Sequence, residues 1–262
     1  MFAMMEASRP VGTEEGLMPH LPFPDRAAAG ELLAQVVAAE LDRLSGALAT
    51  APTIVYALPR GGLPVAAPVA QKLGCPMDII VAKKIAQPAN PELALGAVAA
   101  DGEVVWTQPE DLPLDCPDEL EADLKRALDK ASYQQSQLTL DCPHPNPQGA
   151  IALLVDDGIA TGMTIAAATK SLRSRGKLQA SSEELKGTGL AECSPHRLGK
   201  PAAIWICAPV APPSLMSSLM NWCDRAIVLE TPHPFVSVSR FYKEFAQVEM
   251  DEARQYLQRQ RL

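Results

Sequence analysis

The sequence predicts an α/β fold in which a parallel sheet is covered by helices on both faces. Short apolar stretches with the length of buried strands recur along the chain, for example at 53–58, 78–82 and 151–155. Stretches with apolar residues at helical spacing alternate with them, as at 164–175. Because most of the strands are apolar on both faces, each face needs its own layer of helices.

Composition limits the kinds of function to consider. The chain has 262 residues, 47% of them hydrophobic and 21% charged, which is ordinary for a globular enzyme of one large domain. A net charge of −8 and a pI near 5.1 argue against a nucleic-acid or membrane-surface binder. Six scattered cysteines without a CxxC pair suggest neither a zinc site nor a disulfide framework. Reduced thiols are expected, as in a cytoplasmic protein.

Folding signals begin near Phe23. Residues 1–22 lack the basic flank and apolar core of a signal peptide, so we expect a disordered tail, followed by a single domain over 23–262. Apolar residues at helical spacing from Asp25 predict a helix as far as Leu48. After the strand at 53–58, the residues PRGG form a turn, and a second helix is expected to end at Gly74.

A flexible loop is expected over 83–106. Its first part is polar and is broken by Pro88 and Pro91, whereas its second part predicts two short strands. The dipeptide Asp101-Gly102 between these strands suits a tight hairpin turn.

The second half of the chain continues the alternation of strands and helices. A polar, irregular stretch at 177–200 is expected to be an insertion. The remaining predicted elements are helices at 120–138, 164–175 and 213–222, strands at 151–155, 203–208 and 226–229, and a helix from 251.

The segment LLVDDGIATGMT, residues 153–164, is the strongest functional signal. A strand leads into Asp156 and Asp157, and a loop of small and hydroxylated residues then opens a helix. Ligands of α/β sheets bind beyond the carboxyl ends of the strands. N–H groups at a helix N-terminus and threonine hydroxyls suit a phosphate, and paired carboxylates suit vicinal ribose hydroxyls. The plainer alternative is a strand that ends in solvated aspartates, with Thr161-Gly162 only capping a helix.

Two other phosphate-binding motifs do not match. A P-loop would require Lys after Gly162, and no GxGxxG follows the strand. Instead, the segment resembles the phosphoribosyl-pyrophosphate signature of the type I phosphoribosyltransferases. The stretches FPDR at 23–26, AKKIAQPANPELALGAVA at 82–99, CAPVAPP at 207–213 and LETPHPF at 229–235 resemble a stand-alone bacterial subgroup of this family.

The resemblance implies a Rossmann-like fold with a small hood over the site. It also implies displacement of pyrophosphate from phosphoribosyl pyrophosphate by a nitrogenous acceptor. Asp156 and Asp157 would hold the ribose hydroxyls. The loop would hold the 5-phosphate through Gly158, Ala160, Thr161, Gly162, Met163 and Thr164.

Pyrophosphate would be bound by the turn after the first strand, where Arg60 supplies charge and Gly61 and Gly62 supply N–H groups. The two glycines could also form a simple turn. Mg²⁺ is the expected cofactor, held mainly by oxygens of the ligand, with Asp156 and Asp157 as candidate protein ligands.

The flexible loop and the hood would complete the site. Lys83 and Lys84 could neutralise pyrophosphate, and Glu92 could accept a proton or hydrogen bond from the acceptor. A solvated lysine pair and a helix-start carboxylate are the alternatives. Tyr242 is a candidate for stacking on a planar base, whereas Phe241 and Phe245 suit a core better.

The acceptor class is narrowed by Ala160. Family members that act on 6-oxopurines resemble this signature but have Asp at this position, so we expect a different acceptor. The predicted function is therefore a phosphoribosyltransferase that uses phosphoribosyl pyrophosphate and a small nitrogenous acceptor, with no nucleic-acid or membrane partner. A homodimer is left open. The alternative is a regulatory protein that binds phosphoribosyl pyrophosphate or a nucleotide without turnover.

Overall fold

The computed structural model describes residues 21–87, 90–107, 117–139, 144–176 and 199–259. Within them, a five-stranded parallel sheet has the strand order β2-β1-β6-β7-β8. Its strands are β1 (Thr53–Ala57), β2 (Met77–Ile79), β6 (Ile151–Val155), β7 (Ala203–Val210) and β8 (Arg225–Glu230). The helices are α1 (Arg26–Asp42), α2 (Gly62–Leu73), α3 (Pro117–Leu138), α4 (Met163–Ser174), α5 (Met216–Trp222) and α6 (Met250–Arg259).

Helices cover both faces of the sheet, which confirms the predicted fold class. Alternate residues of β1 and β6 point to opposite sides, as the pleat of a strand requires. Val55 and Leu153 pack with α1, α2 and α6. Ile54 and Leu154 pack with α4 and α5. Because these strands are buried on both faces, their near-continuous apolar sequences correctly indicated a sheet covered on both sides.

Two ends of helices differ in how well the sequence predicted them. The helix α2 ends at Gly74, as expected, because this residue adopts a left-handed backbone conformation with φ +60°. In contrast, α1 ends at Asp42 and not at Leu48. A separate 3₁₀ helix covers Gly46–Thr50, and Gly46 has φ +65°. A residue in this left-handed conformation ends an α-helix, although apolar residues at helical spacing continue beyond it in the sequence.

The described parts of this range, 83–87 and 90–106, form most of a second, antiparallel sheet of order β3-β4-β5. Its strands are β3 (Ala82–Gln87), β4 (Asn90–Ala99) and β5 (Val104–Trp106). The expected hairpin between β4 and β5 is present, but the stretch predicted to be a polar loop is the strand β3. Ile85, which is fully buried, anchors β3 in a cluster with Leu95 and Ala127 of α3. Whether this sheet moves when a ligand binds remains a prediction.

Further hydrogen bonds hold the base of this sheet. Ser171 Oγ donates to Asp101 Oδ2 (2.5 Å), and Lys170 Nζ donates to the carbonyl of Val104 (2.8 Å). The turn between β4 and β5 is therefore tied to α4. We therefore expect any closing movement to take place elsewhere in the sheet.

The start of the described chain pairs with the segment between β8 and α6, next to the carboxyl edge of the parallel sheet. The N–H of Phe23 donates to the carbonyl of Phe241 (2.8 Å), and the N–H of Lys243 donates to the carbonyl of Phe23 (2.8 Å). The predicted tail at 1–22 lies outside the described residues except for its last two, and so does the predicted insertion except for Gly199 and Lys200. Among the helices that the structure describes, none is long and apolar enough to cross a membrane.

A buried ion pair next to the sheet should make stability depend on pH. His144 Nδ1 lies 2.8 Å from Oδ2 of Asp78, which is fully buried. The hydrogen bond to Asp78 raises the pKa of His144 above its ordinary value of 6.5, although burial opposes this. Because the folded-state pKa is raised, the protonated histidine stabilises the fold below about pH 6.5. This contribution is lost as the pH rises through the folded-state pKa.

We therefore expect His144→Asn to lower the free energy of unfolding more at pH 5.5 than at pH 8.5. The loss at the acidic end should be about 1–3 kcal/mol, as for a buried partner left without its hydrogen bond. Urea unfolding of both proteins at the two pH values measures the difference. His233→Asn is the control, because His233 is exposed. A loss for His144→Asn that is the same at both pH values would contradict the assignment.

Candidate functional site

A cleft of about 330 Å³ opens at the carboxyl edge of the parallel sheet. Four segments form its walls, and one of them contributes only Ala82 at the start of β3. The turn after β1 contributes residues 58–61, and the loop between β6 and α4 contributes Asp156, Asp157 and Thr164. The chain ends contribute Arg26, Phe245, Gln247 and Val248. The cleft thus lies where ligands of open α/β sheets bind.

Asp156 and Asp157 follow β6 directly and both line the cleft. Asp156 Oδ1 accepts a hydrogen bond from the N–H of Asp157 (2.9 Å). Burial and the neighbouring charge of Asp157 raise the pKa of Asp156 well above its usual range. Burial also raises the pKa of Asp157, while Arg26 opposes this effect. Two partly desolvated carboxyls held side by side are a feature typical of binding sites.

Asp157 is held from two directions. Arg26 Nε donates to its Oδ2 (2.7 Å) in a salt bridge whose side chains are only 10% and 15% exposed. The hydroxyl of Tyr242 donates to its carbonyl oxygen (2.5 Å). The chain ends therefore position this aspartate directly.

The turn Pro59–Gly62 packs against the two aspartates. A Cβ on Gly61 would lie 2.1 Å from Asp157 Oδ2, and a Cβ on Gly62 would lie 2.7 Å from the carbonyl oxygen of Val155. A side chain at Gly61 would require movement of the Asp157 carboxylate or of the turn, and one at Gly62 would require movement of the turn or of the end of β6. Glycine is thus favoured here because Asp157 and the end of β6 lie close to the turn. Binding of pyrophosphate by the N–H of Gly61 remains a prediction, whereas the N–H of Gly62 donates to the carbonyl of Leu58 (3.0 Å). Arg60 lines the cleft, with Nη1 3.8 Å from Oε2 of Glu249.

The rest of the predicted phosphate loop leads from the carboxylates to α4. Gly162 is the N-cap of this helix with φ +75°, a conformation that favours glycine. Thr164 lines the cleft, whereas Ala160 and Thr161 are exposed. Gly158 is buried, and a Cβ there would lie 2.5 Å from Val238. Met163 is the first residue of α4.

The two predicted lysines lie on β3, on opposite faces of the strand. Lys83 is half-buried and Lys84 is exposed. Burial and the charges of Arg60 and Lys130 lower the pKa of Lys83. Lys83 is therefore electrostatically coupled to the turn that bears Arg60. Glu92 lies on β4, and its side chain is outside what the structure describes.

Phe241 packs against a buried cluster, as expected, whereas Tyr242 and Phe245 have other positions than expected. Tyr242 is only 5% exposed and is packed between Phe23 and Phe245, so its ring offers no free face for a base. Its contact with the site is the hydrogen bond to Asp157. Phe245, which was expected to be a core residue, lines the cleft. Because this segment is neither a regular helix nor a strand, the spacing of its aromatic residues does not show which side chains are buried and which are exposed.

Sequence reasoning did not identify Arg26 as a site residue, nor Gln247 and Val248. Arg26 belongs to the stretch FPDR, which was noted only for its resemblance. A buried arginine at the first position of a helix is unusual, since the helix dipole disfavours a cation there. This was a signal that could have been used.

Within the described residues, no group of three or more His, Cys, Asp or Glu is arranged to hold a metal ion. Asp156 and Asp157 are two carboxylates at the cleft, and Asp157 already has Arg26 as its partner. This donor set fits an ion that binds one or two carboxylates and takes its other ligands from phosphate oxygens and water.

Comparison with known proteins agrees with this geometry. The model of the phosphoribosyl transferase domain matches residues 27–180, more than half of the chain. In two strains of Mycobacterium tuberculosis, a protein named "Putative phosphoribosyl transferase" is 30% identical over 245 residues. The match covers 90% of this chain but 46% of the mycobacterial protein. The chain therefore spans about half the length of these curated relatives.

A solved structure is similar along almost its whole length. The crystal structure of a protein from Thermus thermophilus is 30% identical and has a TM-score of 0.66. The similarity covers 90% of this chain and 98% of that one. The overall fold of the chain is thus shared with an experimental structure.

Proposed function

The chain belongs to the phosphoribosyl transferase domain family, and from this premise we propose that it transfers phosphoribosyl from phosphoribosyl pyrophosphate to a nitrogenous acceptor. One observation carries the proposal. The carboxylates of Asp156 and Asp157, the Arg60 turn and Thr164 at the start of α4 converge on a single cleft. These groups match the three parts of the donor substrate, which are a ribose, a pyrophosphate and a 5-phosphate.

Each part of the donor has a complementary wall. The carboxylates accept hydrogen bonds from the ribose hydroxyls, with Asp157 held in place by Arg26. The N-terminus of α4, with the hydroxyls of Thr161 and Thr164, receives the 5-phosphate. Arg60, which lines the cleft, and the backbone N–H of Gly61 receive the pyrophosphate.

In the reaction, the bond between C1 of the ribose and the pyrophosphate oxygen breaks, and its electron pair leaves with pyrophosphate. A nitrogen lone pair of the acceptor forms the new bond to C1, and the acceptor releases a proton. Charge develops on the leaving oxygens and on the ribose ring. Arg60 stabilises the negative charge on the leaving oxygens, and the two carboxylates lie close to the positive charge on the ribose ring.

Lys83 also belongs to this region, since the charge of Arg60 helps to lower the pKa of Lys83. The negative charge of a bound pyrophosphate would oppose this lowering of the pKa and favour the charged form of Lys83. Lys83 is therefore proposed to act near pyrophosphate. The exposed Lys84 is proposed to contribute less to neutralising pyrophosphate than Lys83. Glu92 is likewise proposed to contribute less to the reaction.

Mg²⁺ is proposed as the cofactor. Asp156 would hold it, directly or through water, and Asp157 would support Asp156. When bound, the ion supplies charge neutralisation for the pyrophosphate oxygens. A cleft with two carboxylates and a net charge of −8 on the chain makes such a counter-ion useful for a ligand rich in phosphate.

The acceptor is proposed not to be a 6-oxopurine. The position that would carry the acid for such a base is Ala160, and its methyl group cannot take a proton or accept a hydrogen bond. General base assistance typically contributes about a hundredfold to ten-thousandfold in rate. We therefore expect pyrophosphate release with hypoxanthine or guanine to be slower by about that factor than with the true acceptor.

An assay of pyrophosphate release across adenine, hypoxanthine, guanine, orotate, uracil and nicotinate with Mg²⁺ measures this. Efficient turnover of hypoxanthine or guanine by the unmodified protein would refute the inference from Ala160. Calorimetric titration with phosphoribosyl pyrophosphate tests the proposal as a whole. Binding without pyrophosphate release for any acceptor would favour a regulatory protein, and no binding would reject the proposed donor.

A further inference from the structure

Arg26 occupies a place that local helix energetics does not favour. It is the first residue of α1, which has no acidic residue in its first turn. The positive end of the helix dipole lies at this end, so a cation here is unfavourable. Arg26 is nevertheless only 9% exposed and lines the cleft. Residues that break local rules in this way cluster at functional sites.

The backbone that carries Arg26 is fixed on both sides. Asp25 is the N-cap of α1, and its side chain accepts a hydrogen bond from the N–H of Ala28 (2.8 Å). Two residues before it, Phe23 pairs with the C-terminal segment through backbone hydrogen bonds. The guanidinium is therefore delivered to the cleft by a rigid support.

Three contacts hold the guanidinium itself. Nε donates to Asp157 Oδ2 (2.7 Å), and Nη1 donates to the carbonyl of Ala246 (2.7 Å). The guanidinium carbon lies 3.6 Å from the centre of the Phe245 ring. The planar fork of an arginine can make these contacts at once, whereas the point charge of a lysine cannot.

These contacts join parts of the chain that are far apart in sequence. Arg26 and Asp157 are separated by 131 positions, and Arg26 and Ala246 by 220. Asp157 has Asp156 beside it and the backbone of Gly61 packed against its carboxylate. Arg26 is thus the counter-charge of the carboxylate pair and also the link between that pair and the C-terminal segment.

We propose that Arg26 is a positioning residue for the donor site, acting through Asp157. This inference rests on the proposed function. Arg26 fixes the orientation of the Asp157 carboxylate so that the pair is arranged for ribose before the ligand arrives. Preorganisation of this kind contributes to binding because the ligand does not have to order the site.

Four proteins test this by calorimetric titration with phosphoribosyl pyrophosphate and Mg²⁺: the unmodified chain, Arg26→Gln, Asp157→Asn and the double variant. We expect Arg26→Gln to weaken binding about tenfold to a hundredfold, as for the loss of a hydrogen bond between charged groups. If Arg26 acts through Asp157, the double variant should bind no more weakly than Asp157→Asn alone.

Two further variants serve as controls. Arg26→Lys should bind more tightly than Arg26→Gln but less tightly than the unmodified chain. Arg43→Gln, at the exposed end of the same helix, should leave affinity unchanged.

The outcomes separate the two proposals. A failure of the unmodified chain to bind rejects the donor itself, and this inference with it. Normal binding by the unmodified chain with additive losses in the double variant overturns the role of Arg26 alone. Should Arg26→Gln not fold, Phe245→Leu removes the stacking contact instead and is expected to weaken binding about threefold to tenfold. If Phe245→Leu and Arg26→Lys both bind phosphoribosyl pyrophosphate as tightly as the unmodified chain, the proposed role of Arg26 is overturned.

Discussion

Asp156→Asn combined with Asp157→Asn is expected to abolish binding of phosphoribosyl pyrophosphate while the fold survives. A carboxylate accepts hydrogen bonds at both oxygens, whereas an amide presents an N–H group on one side. Hydrogen bonds to charged groups are worth about 1.5–3 kcal/mol each. The loss of two corresponds to about a hundredfold or more in affinity.

The fold should survive because the two carboxyls are strained together in the native state. Burial raises the pKa of both, and the charge of Asp157 adds to the effect on Asp156. Replacing them by neutral amides removes this repulsion and leaves an oxygen that can still accept from Arg26. The free energy of unfolding is therefore expected to change little at neutral pH.

Calorimetric titration with Mg²⁺ and urea unfolding of both proteins measure the two parts of this prediction. Asp118→Asn with Glu119→Gln is a matched control, since these adjacent acids are exposed on α3 and their replacement changes the net charge equally. Equal affinities for the unmodified chain and the Asp156/Asp157 variant would remove the ribose assignment. A collapsed fold in that variant would show instead that the pair is structural.

The part of the site that the sequence predicted is local in the chain. The strand β6, the two aspartates and the start of α4 lie within 151–164, so their relative positions follow from a strand, a short loop and a helix. The same holds for β1 and the turn Pro59–Gly62. Parallel pairing of β1 with β6 then brings the two loops to the same edge of the sheet. This step follows from general rules for α/β sheets.

The part that the sequence did not predict depends on contacts between distant segments. An arginine at the first position of α1 is unusual, but its role requires knowing that α1 begins beside Asp157, and no residue within 23–30 indicates that neighbour. Tyr242 was proposed for stacking because it is aromatic, yet its hydroxyl bonds to Asp157 and its ring is buried. The strand β3 was missed because Lys83, Lys84 and Gln87 make its sequence polar, while the packing of Ile85 with Leu95 and α3 holds it in place. In each case tertiary packing decided between local alternatives.

A substitution at Gly61 is the second change with a large expected effect. The backbone at Gly61 has φ −60° and ψ −32°, which alanine adopts readily. In the absence of other contacts, alanine would stabilise the protein by about 0.4–1 kcal/mol because it restricts the unfolded chain. The Cβ of an alanine would, however, lie 2.1 Å from Asp157 Oδ2. The carboxylate or the turn must therefore move.

We expect Gly61→Ala to destabilise the fold by about 1–3 kcal/mol, as for overpacking in an ordered interior. We also expect it to weaken binding of phosphoribosyl pyrophosphate by at least about tenfold, because the ribose carboxylate and the pyrophosphate turn are displaced together. Urea unfolding and calorimetric titration measure the two effects. The control is the same substitution combined with Asp157→Ala, which removes the clashing oxygen. The double variant should then have nearly the same free energy of unfolding as Asp157→Ala alone. If Gly61→Ala destabilises the Asp157→Ala protein as much as it destabilises the unmodified chain, the turn itself, and not its contact with Asp157, requires glycine.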